Sequence, residues 1–215
     1  MAKERSLTAI LEDYARDWAE EIVRHKWLLL LASSLLLISN FVGFYAGNYV
    51  DKVCSNAVSD LILDRLPATD LGLLFIYGYI AIISILFLYP LFFKIRELHI
   101  VISQFSLVFL IRSFFIILTH MKMPPEIIPV TWPTLISPIA FNNDLFFSGH
   151  VATAFLGFLL FKESKIKWFF LIASLLMGFT VLGMHQHYSI DVFAAFFITY
   201  GSYKIGHWFF SKIQR

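Results

Sequence analysis

The stretch LHIVISQFSLVFLIRSFFIILT, residues 98–119, decides the fold class of this chain. Among its 22 residues, Arg112 is the only Lys, Arg, Asp or Glu. As an α-helix the stretch would be about 33 Å long, which is enough to cross the roughly 30 Å hydrocarbon core of a bilayer. Five further apolar runs flank it, and 59% of the 215 residues are hydrophobic. This pattern predicts an all-α polytopic membrane protein.

The apolar runs predict six transmembrane helices. They cover residues 27–46, 71–93, 98–119, 145–161, 168–184 and 189–210. Two polar segments connect them on one side of the membrane: residues 47–70, with four aspartates, and residues 120–144, with five of the seven prolines. The single cysteine, Cys54, excludes an internal disulfide and disfavours a thiolate metal site.

The N-terminal segment, residues 1–26, differs from the membrane domain, residues 27–215. Over residues 6–25 apolar side chains recur at steps of three and four residues, with charged side chains between them. This spacing predicts an amphipathic helix. It would either lie flat in the membrane interface or pack on the cytosolic loops.

The distribution of basic residues predicts the orientation in the membrane. With six spans, both termini lie on one side, and that side carries thirteen Lys and Arg residues. The opposite side carries three, Lys52, Arg65 and Lys122. Cytosolic loops are enriched in basic residues. We therefore expect cytosolic termini and a non-cytosolic position for the two long polar segments.

Two histidine motifs lie at the predicted outer ends of the fourth and sixth spans: Ser148-Gly149-His150 and His187-x-x-x-Asp191. Ionisable groups inside a membrane are costly and therefore indicate a functional site. Residues four apart share one face of a helix, so Asp191 can hold one nitrogen of His187 protonated. The other nitrogen is then free to act as nucleophile or base.

The surroundings of these motifs favour an anionic ligand. Helix N-termini attract phosphate, and a glycine at position 149 would let the backbone come close to it. Arg112, about two turns from the outer end of its span, needs an anionic partner. That partner is either a substrate phosphate or a structural carboxylate, Asp144 or Asp191.

Two histidines with separate roles suit phosphoryl transfer through a covalent intermediate, one attacking phosphorus and one moving protons. A single buried histidine would more simply be a hydrogen-bonded core residue. A zinc site formed by His150, His185, His187 and Asp191 would leave Arg112 unexplained. We therefore expect no metal and no cofactor.

These residues resemble the sphingomyelin synthase family, a branch of the type 2 phosphatidic acid phosphatase superfamily, and most of all its ceramide phosphoethanolamine synthases. The matching pieces are Asp144-x-x-x-Ser148-Gly149-His150, the run from His185 to Thr199, Arg112-Ser113, and Leu66-Pro67 with Asp70. The Lys-x6-Arg-Pro motif of the general phosphatases does not occur, and Val181 stands where they have an arginine. These departures favour the synthase branch.

The resemblance implies a role for each matching residue. His187, oriented by Asp191, would be the nucleophile, and His150 would act on the leaving and accepting hydroxyls. The family works without a metal at the non-cytosolic face, moving phosphocholine or phosphoethanolamine from a phospholipid to ceramide. The residues that we expect to bind substrate are Arg112, Asp144, Ser148, Gly149, His185, Tyr188 and Glu126.

The leading prediction is a phosphotransferase with a ceramide-like or diacylglycerol acceptor. Two other functions stay open at this point. A lipid phosphate phosphatase or phospholipase C-like hydrolase would share the first half-reaction, with water in place of the lipid hydroxyl as acceptor. A non-enzymatic lipid transporter would use the polar groups for proton or ion handling. In each case the expected partners are membrane lipids and not nucleic acid. The sequence leaves open whether the chain forms a homo-oligomer.

Overall fold

All regular structure in the computed structural model, which describes residues 7–53, 56–134, 141 and 143–213, is helical. The helices in these ranges are α1 Leu7–Arg24, α2 Lys26–Val53, α3 Tyr79–Phe93, α4 Leu98–Leu118, α5 Gly149–Leu160, α6 Lys167–Gly183 and α7 Ser189–Ile213. A π-helical turn, Leu74–Gly78, leads into α3, and 3-10 turns occupy Leu63–Arg65 and Ile95–Glu97. The all-α prediction is confirmed. Cys54 lies outside the described residues.

Three helices within the described ranges are long and apolar enough to cross a membrane: α2, Leu74–Phe93 and Ile95–Leu118. Helices α5 and α6 are also apolar but shorter. The outer surface carries large apolar side chains, for example Leu37, Phe93, Phe179 and Phe197, each more than 70% exposed. Apolar patches of this extent are rare on soluble proteins and are stable in lipid. The chain is an integral membrane protein.

Two helix boundaries differ from those expected. The fourth predicted span starts at Gly149 rather than residue 145 and is 12 residues long, about 18 Å. Residues 144–148 are not helical, because Arg112 binds the backbone of this segment. Helix α2 runs on to Val53, into the predicted polar segment 47–70. The number of spans and the position of the termini stay predictions.

Helix α4 lies at the centre of the bundle. Helix α2 packs along it on one side, whereas α3, α5 and α7 pack on it from the others. Helices α5 and α6 approach closely at Gly157, where a Cβ atom would collide with the ring of Phe170. The core between these helices is formed by buried apolar side chains, among them Leu86, Val108, Leu156, Phe170 and Met177.

Non-helical segments cover the end of the bundle that carries the histidine motifs. Prolines lack the N–H that a helix needs, and residues 120–134 form turns and irregular backbone instead of a helix. The backbone N–H of Ile128 donates to Met184 O at 3.0 Å, and that of Thr69 donates to Gly183 O at 2.7 Å. Both polar segments are thereby fixed to the turn between α6 and α7.

Helix α1 lies at the opposite end of the bundle. Trp18 Nε1 donates to the carbonyl of Leu91 at 2.7 Å, and Tyr14 hydrogen-bonds to that of Phe92. Arg96, in the turn after α3, pairs with Glu21 at 2.7 Å. Helix α1 thus contacts the end of α3 and the turn that follows it. Its amphipathic character and its position in the membrane interface stay predictions.

Candidate active site

His187 lies in the turn that leads into α7, and Asp191 in the first turn of that helix. His187 Nδ1 is 3.4 Å from Asp191 Oδ2, and the same oxygen accepts the backbone N–H of Tyr188 at 3.0 Å. The Asp191 side chain has no exposure to solvent. Nδ1 makes no hydrogen bond with a described residue, but the buried carboxylate beside it favours a proton on Nδ1 and leaves Nε2 as the reactive nitrogen.

His150, in the first turn of α5, is held between two aromatic rings. Its ring centroid is 4.1 Å from that of Phe75 and 4.0 Å from that of Tyr79, at interplanar angles of 27° and 31°. Its Nε2 is buried and has no hydrogen-bond partner among the described residues. Buried polar atoms usually have partners, so a lone one needs an explanation, such as a ligand or a catalytic role.

The two histidine motifs are joined through the main chain. The backbone N–H of Ser148 donates to the carbonyl of Asp191 at 3.2 Å. Ser148 is fully buried and its hydroxyl has no partner among the described residues. This contact brings the N-termini of α5 and α7 side by side. That these helix ends face away from the cytosol stays a prediction.

Arg112 binds the segment that precedes α5. Its guanidinium pairs with the Asp144 carboxylate at 2.5 and 2.8 Å and also donates to the carbonyls of Asp144 and Phe147 at 2.8 and 2.7 Å. Of the partners considered from the sequence, the structural carboxylate is Asp144 and not Asp191. A phosphate contact for Arg112 stays a prediction.

One cavity of about 620 Å³ connects these groups. Of the residues predicted for the site, its lining includes Arg112, Asp144, Gly149, His150 and His187. Asp191 and Ser148 lie directly behind this lining. A Cβ atom at Gly149 would lie 3.4 Å from Arg112 Nε, an ordinary van der Waals distance, so packing against the guanidinium does not by itself require a glycine here.

Besides Ser148, three predicted substrate-binding residues do not line the cavity. His185, with a positive φ of 54°, has its Nε2 2.9 Å from the carbonyl of Leu66. The Tyr188 hydroxyl donates to Lys122 O at 2.8 Å, and burial raises the pKa of this phenol. Glu126 lies exposed in the segment that covers the bundle end. The first two therefore connect the α6–α7 turn to the polar segments.

Asp60 fixes the start of α7 and could not be singled out from the sequence. Its Oδ2 accepts the N–H and the hydroxyl of Ser189 at 2.7 and 2.8 Å, and its Oδ1 accepts the N–H groups of Ile62 and Leu63. A carboxylate at a helix N-terminus is favourable. It was visible in the sequence only as one of four aspartates in residues 47–70.

The aromatic rings around His150 and the amide of Gln186 were also not predicted from the sequence. Phe75 and Tyr79 are indistinguishable in sequence from other aromatic residues of an apolar span. Gln186 lines the cavity and donates from Nε2 to Ile128 O at 2.5 Å. Its place between two histidines was the one available signal.

Comparison with known proteins now adds to the geometry. The family described as "PAP2 superfamily C-terminal" matches residues 143–208, which contain both histidine motifs but not Arg112. Sphingomyelin synthase-related protein 1 of Homo sapiens and that of Mus musculus are each 30% identical to the chain over 123 residues. The resemblance predicted from the motifs is confirmed.

These matches cover only part of the proteins involved. The aligned region is 45% of this chain and 30% and 26% of the human and mouse relatives, so the chain spans less than a third of their length. No solved structure gives a significant match to the chain. The comparisons support a lipid phosphoryl-transfer or hydrolytic enzyme of the sphingomyelin synthase branch.

Proposed function

We propose that this chain is a lipid phosphotransferase that moves a phosphoethanolamine or phosphocholine head group from a glycerophospholipid to a ceramide-like or diacylglycerol acceptor through a phosphohistidine. The observation that carries the proposal is that His150 and His187 line one cavity together with the Arg112–Asp144 pair. Two imidazoles beside a bound guanidinium and two helix N-termini match a phosphodiester in charge and in chemistry.

In the first half-reaction, Nε2 of His187 attacks phosphorus and the bond to the glycerol oxygen breaks. His150 gives its proton to that oxygen, and diacylglycerol leaves. In the second, the acceptor hydroxyl gives its proton to His150 and its oxygen attacks phosphorus. The P–N bond breaks, so His187 is regenerated. Asp191 holds the His187 ring during both steps and stabilises its positive charge.

The first turn of α5 and the Arg112 guanidinium hold the phosphoryl oxygens in this scheme. Unpaired N–H groups of a helix N-terminus bind anions, and their partial positive charge opposes the charge that develops on phosphorus. Asp144 keeps the guanidinium in place. Ser148, directly before this turn, offers a buried hydroxyl without a described partner as a further donor.

Purified protein with fluorescent ceramide and either phosphatidylethanolamine or phosphatidylcholine tests the proposal. We expect a new phosphosphingolipid by thin-layer chromatography, and none from His187→Ala. His207→Ala is the matched control, since this exposed histidine lies at the far end of α7. Diacylglycerol release without the new lipid would make the enzyme a hydrolase. Full activity of His187→Ala, or no turnover of any phospholipid, would overturn the mechanism.

The proposal includes a topology in which α2 to α7 form six spans of the catalytic domain, residues 27–215, with both termini cytosolic and the histidines at the opposite face. Exposed Glu126 and Glu163 lie on polar segments that this topology puts on different sides. In a variant without Cys54, an impermeant maleimide applied to intact cells or sealed vesicles should label Glu126→Cys and Glu163→Cys from opposite sides. Labelling of both from one side would contradict the topology.

A further inference from the structure

The cavity that contains the histidines is larger than the head group chemistry requires. Its volume of about 620 Å³ lies in the range that holds a drug-sized molecule. The polar residues described above are confined to one end of it. The other end has a different lining, and that lining has no role in the transfer of a phosphoryl group.

The side of the cavity away from the histidines is mostly apolar. Its walls are formed by Phe105 and Phe109 of α4, Ile80 and Ile83 of α3, and Phe44 of α2. Ser39 and Asn40 of α2 also line the cavity, and their side chains donate to the carbonyl of Leu36 in their own helix. Arg112 and Phe105 are seven residues apart on α4, so the apolar part extends about 10 Å along the helix from the guanidinium. The cavity therefore has the polarity of a lipid, with one charged end and one hydrocarbon end.

The far end of this apolar part is closed by aromatic packing. Phe105 is buried and its ring meets that of Phe87 at 5.2 Å and that of Phe109 at 4.4 Å. Because Phe87 belongs to α3 and Phe105 to α4, this contact joins the two helices below the cavity. A hydrocarbon chain that extends from a head group at the histidine end would stop at this contact.

Few contacts close the side of the cavity between α2 and α3. Both helices contribute lining residues, but in the described part of the chain α2 packs along α4 and not along α3. Ile80 and Ile83 are only half-buried, and Phe44 is exposed. Both helices are long and apolar enough to cross a membrane, so this side of the cavity faces hydrocarbon.

We propose that the apolar part of the cavity, between α2, α3 and α4, binds one hydrocarbon chain of the lipid substrate, which enters from the membrane between α2 and α3. This proposal rests on the proposed function, which puts the head group beside the histidines. The position of the hydrocarbon chain is inferred from the apolar residues that line the cavity. The contact of Phe87 with Phe105 limits the length of the bound chain, and Ile83 sets its width.

Ile83→Trp fills this part of the cavity without touching the histidines. With dioleoyl phosphatidylethanolamine as donor, we expect the rate of diacylglycerol release to fall about ten-fold or more. With the dihexanoyl donor, whose chains are short, the rate should change little. Leu88→Trp is the control, because Leu88 is an exposed residue of the same helix outside the lining. Equal loss with both donors, or no loss with either, would overturn the proposal.

A second variant should allow longer chains to bind. Phe105→Ala removes the ring that closes the cavity, so the preferred donor should shift towards longer chains relative to wild type. An unchanged chain-length profile in both Phe105→Ala and Ile83→Trp would count against the binding site. This pair remains informative if one of the two variants folds poorly.

Binding of the chain can also be measured without turnover. A phosphatidylethanolamine with a diazirine in one acyl chain should, on illumination, label peptides of α2, α3 and α4 in wild type, and much less in Ile83→Trp. Undiminished labelling in Ile83→Trp would overturn the proposal. Selective labelling without turnover would instead contradict the proposed function and leave the chain-binding site standing.

Discussion

The backbone N–H of Ser148 donates to the carbonyl of Asp191 at 3.2 Å, so the first residue of the first histidine motif is bound directly to the last residue of the second. Asp191 thus has two roles that use different atoms. Its carbonyl positions the start of α5, and its carboxylate positions His187 at 3.4 Å. Only the second role depends on the side chain, and a side-chain substitution can test it separately.

Asp191→Asn should lower the kcat for head-group transfer by about 100-fold or more while leaving the fold intact. The asparagine oxygen would take the place of Oδ2, which faces both the Tyr188 N–H and His187 Nδ1. The fold is then kept, but a neutral amide replaces the negative charge that stabilises the positive charge on the phosphorylated His187 ring. Steady-state kcat and KM for the donor lipid measure the effect.

The same preparation provides the control for Asp191→Asn. Its melting temperature should stay near that of wild type, since the asparagine oxygen can still accept from the Tyr188 N–H and the backbone carbonyl is unchanged. A kcat close to the wild-type value would remove Asp191 from the mechanism. A loss of folded protein would instead assign it a structural role.

His150→Ala should lose activity with phospholipid donors by about 10²- to 10⁴-fold, because no group then protonates the leaving glycerol oxygen. A donor such as p-nitrophenyl phosphocholine has a leaving group that needs no proton. The initial burst of nitrophenolate should therefore survive in His150→Ala and vanish in His187→Ala. Stopped-flow absorbance measures the burst.

The two variants separate the roles of the histidines. Equal loss of the burst in His150→Ala and His187→Ala would contradict the division into proton donor and nucleophile. Phe75 and Tyr79 enclose the His150 ring, so Tyr79→Phe serves as a conservative check that preserves the ring stack. It should keep most of the activity with both donors.

Helices and candidate site residues could be predicted from the sequence where the pattern involves residues that are neighbours along the chain. The spacing of His187 and Asp191 and the apolar run of α4 are such patterns. Long-range pairings could not be predicted in the same way. That Asp60 binds Ser189, and that Arg112 binds Asp144 rather than Asp191, depends on how segments far apart in sequence fold together.

The start of α5 shows the same limit at one boundary. Residues 145–148 are apolar enough to continue the helix towards the N-terminus, and the sequence predicted a span from residue 145. Hydrogen bonds from Arg112 to the carbonyls of Asp144 and Phe147 hold them in another conformation. A tertiary contact thus outweighed a local preference.

Arg112→Lys should lower the melting temperature more than Asp144→Asn does. A lysine presents one ammonium and cannot reproduce the four contacts of the guanidinium, whereas an asparagine at position 144 leaves the two carbonyl contacts in place. Breaking a buried pair costs about 3–5 kcal/mol. Thermal unfolding in detergent shows which of the two variants has the lower melting temperature.

The kinetics of the same variants decide whether Arg112 also binds the phosphate. If it does, Arg112→Lys should raise the KM for the donor about ten-fold. Asp144→Asn should leave the KM unchanged or lower it, because the guanidinium loses a competing anion. Parallel changes of KM in both variants would indicate that Arg112 only positions the segment before α5.

Asp60→Asn should destabilise the protein at neutral pH by about 1.5–3 kcal/mol, the typical value of hydrogen bonds to a charged group. Burial raises the pKa of the Asp60 carboxyl, but hydrogen bonds from Leu63, Ser189 and Ile62 outweigh it, and the folded-state pKa is lowered. Its stabilisation is therefore complete above the unfolded pKa. It is lost as the pH falls through the folded pKa.

The melting temperatures of wild type and Asp60→Asn should therefore differ most near pH 7 and converge below about pH 4. Asp70→Asn is the control, since this exposed aspartate of the same segment accepts one backbone N–H, that of Gly72. It should lower the melting temperature less at every pH. If the difference in melting temperature between wild type and Asp60→Asn grew on acidification, the pKa of Asp60 would not be lowered by folding.

Gly47→Val should displace the ring of Phe141 and destabilise the protein by about 1–3 kcal/mol through overpacking. A Cβ atom at Gly47 would collide with that ring, which lines the cavity and also contacts Phe44 at 5.8 Å. Adding Phe141→Ala removes the collision, so the double variant should melt at a higher temperature than Gly47→Val alone. Gly201→Val is the control, because an added Cβ there meets nothing within 4 Å. If Phe141→Ala lowers the melting temperature of Gly47→Val further, Phe141 does not pack on α2 at this position.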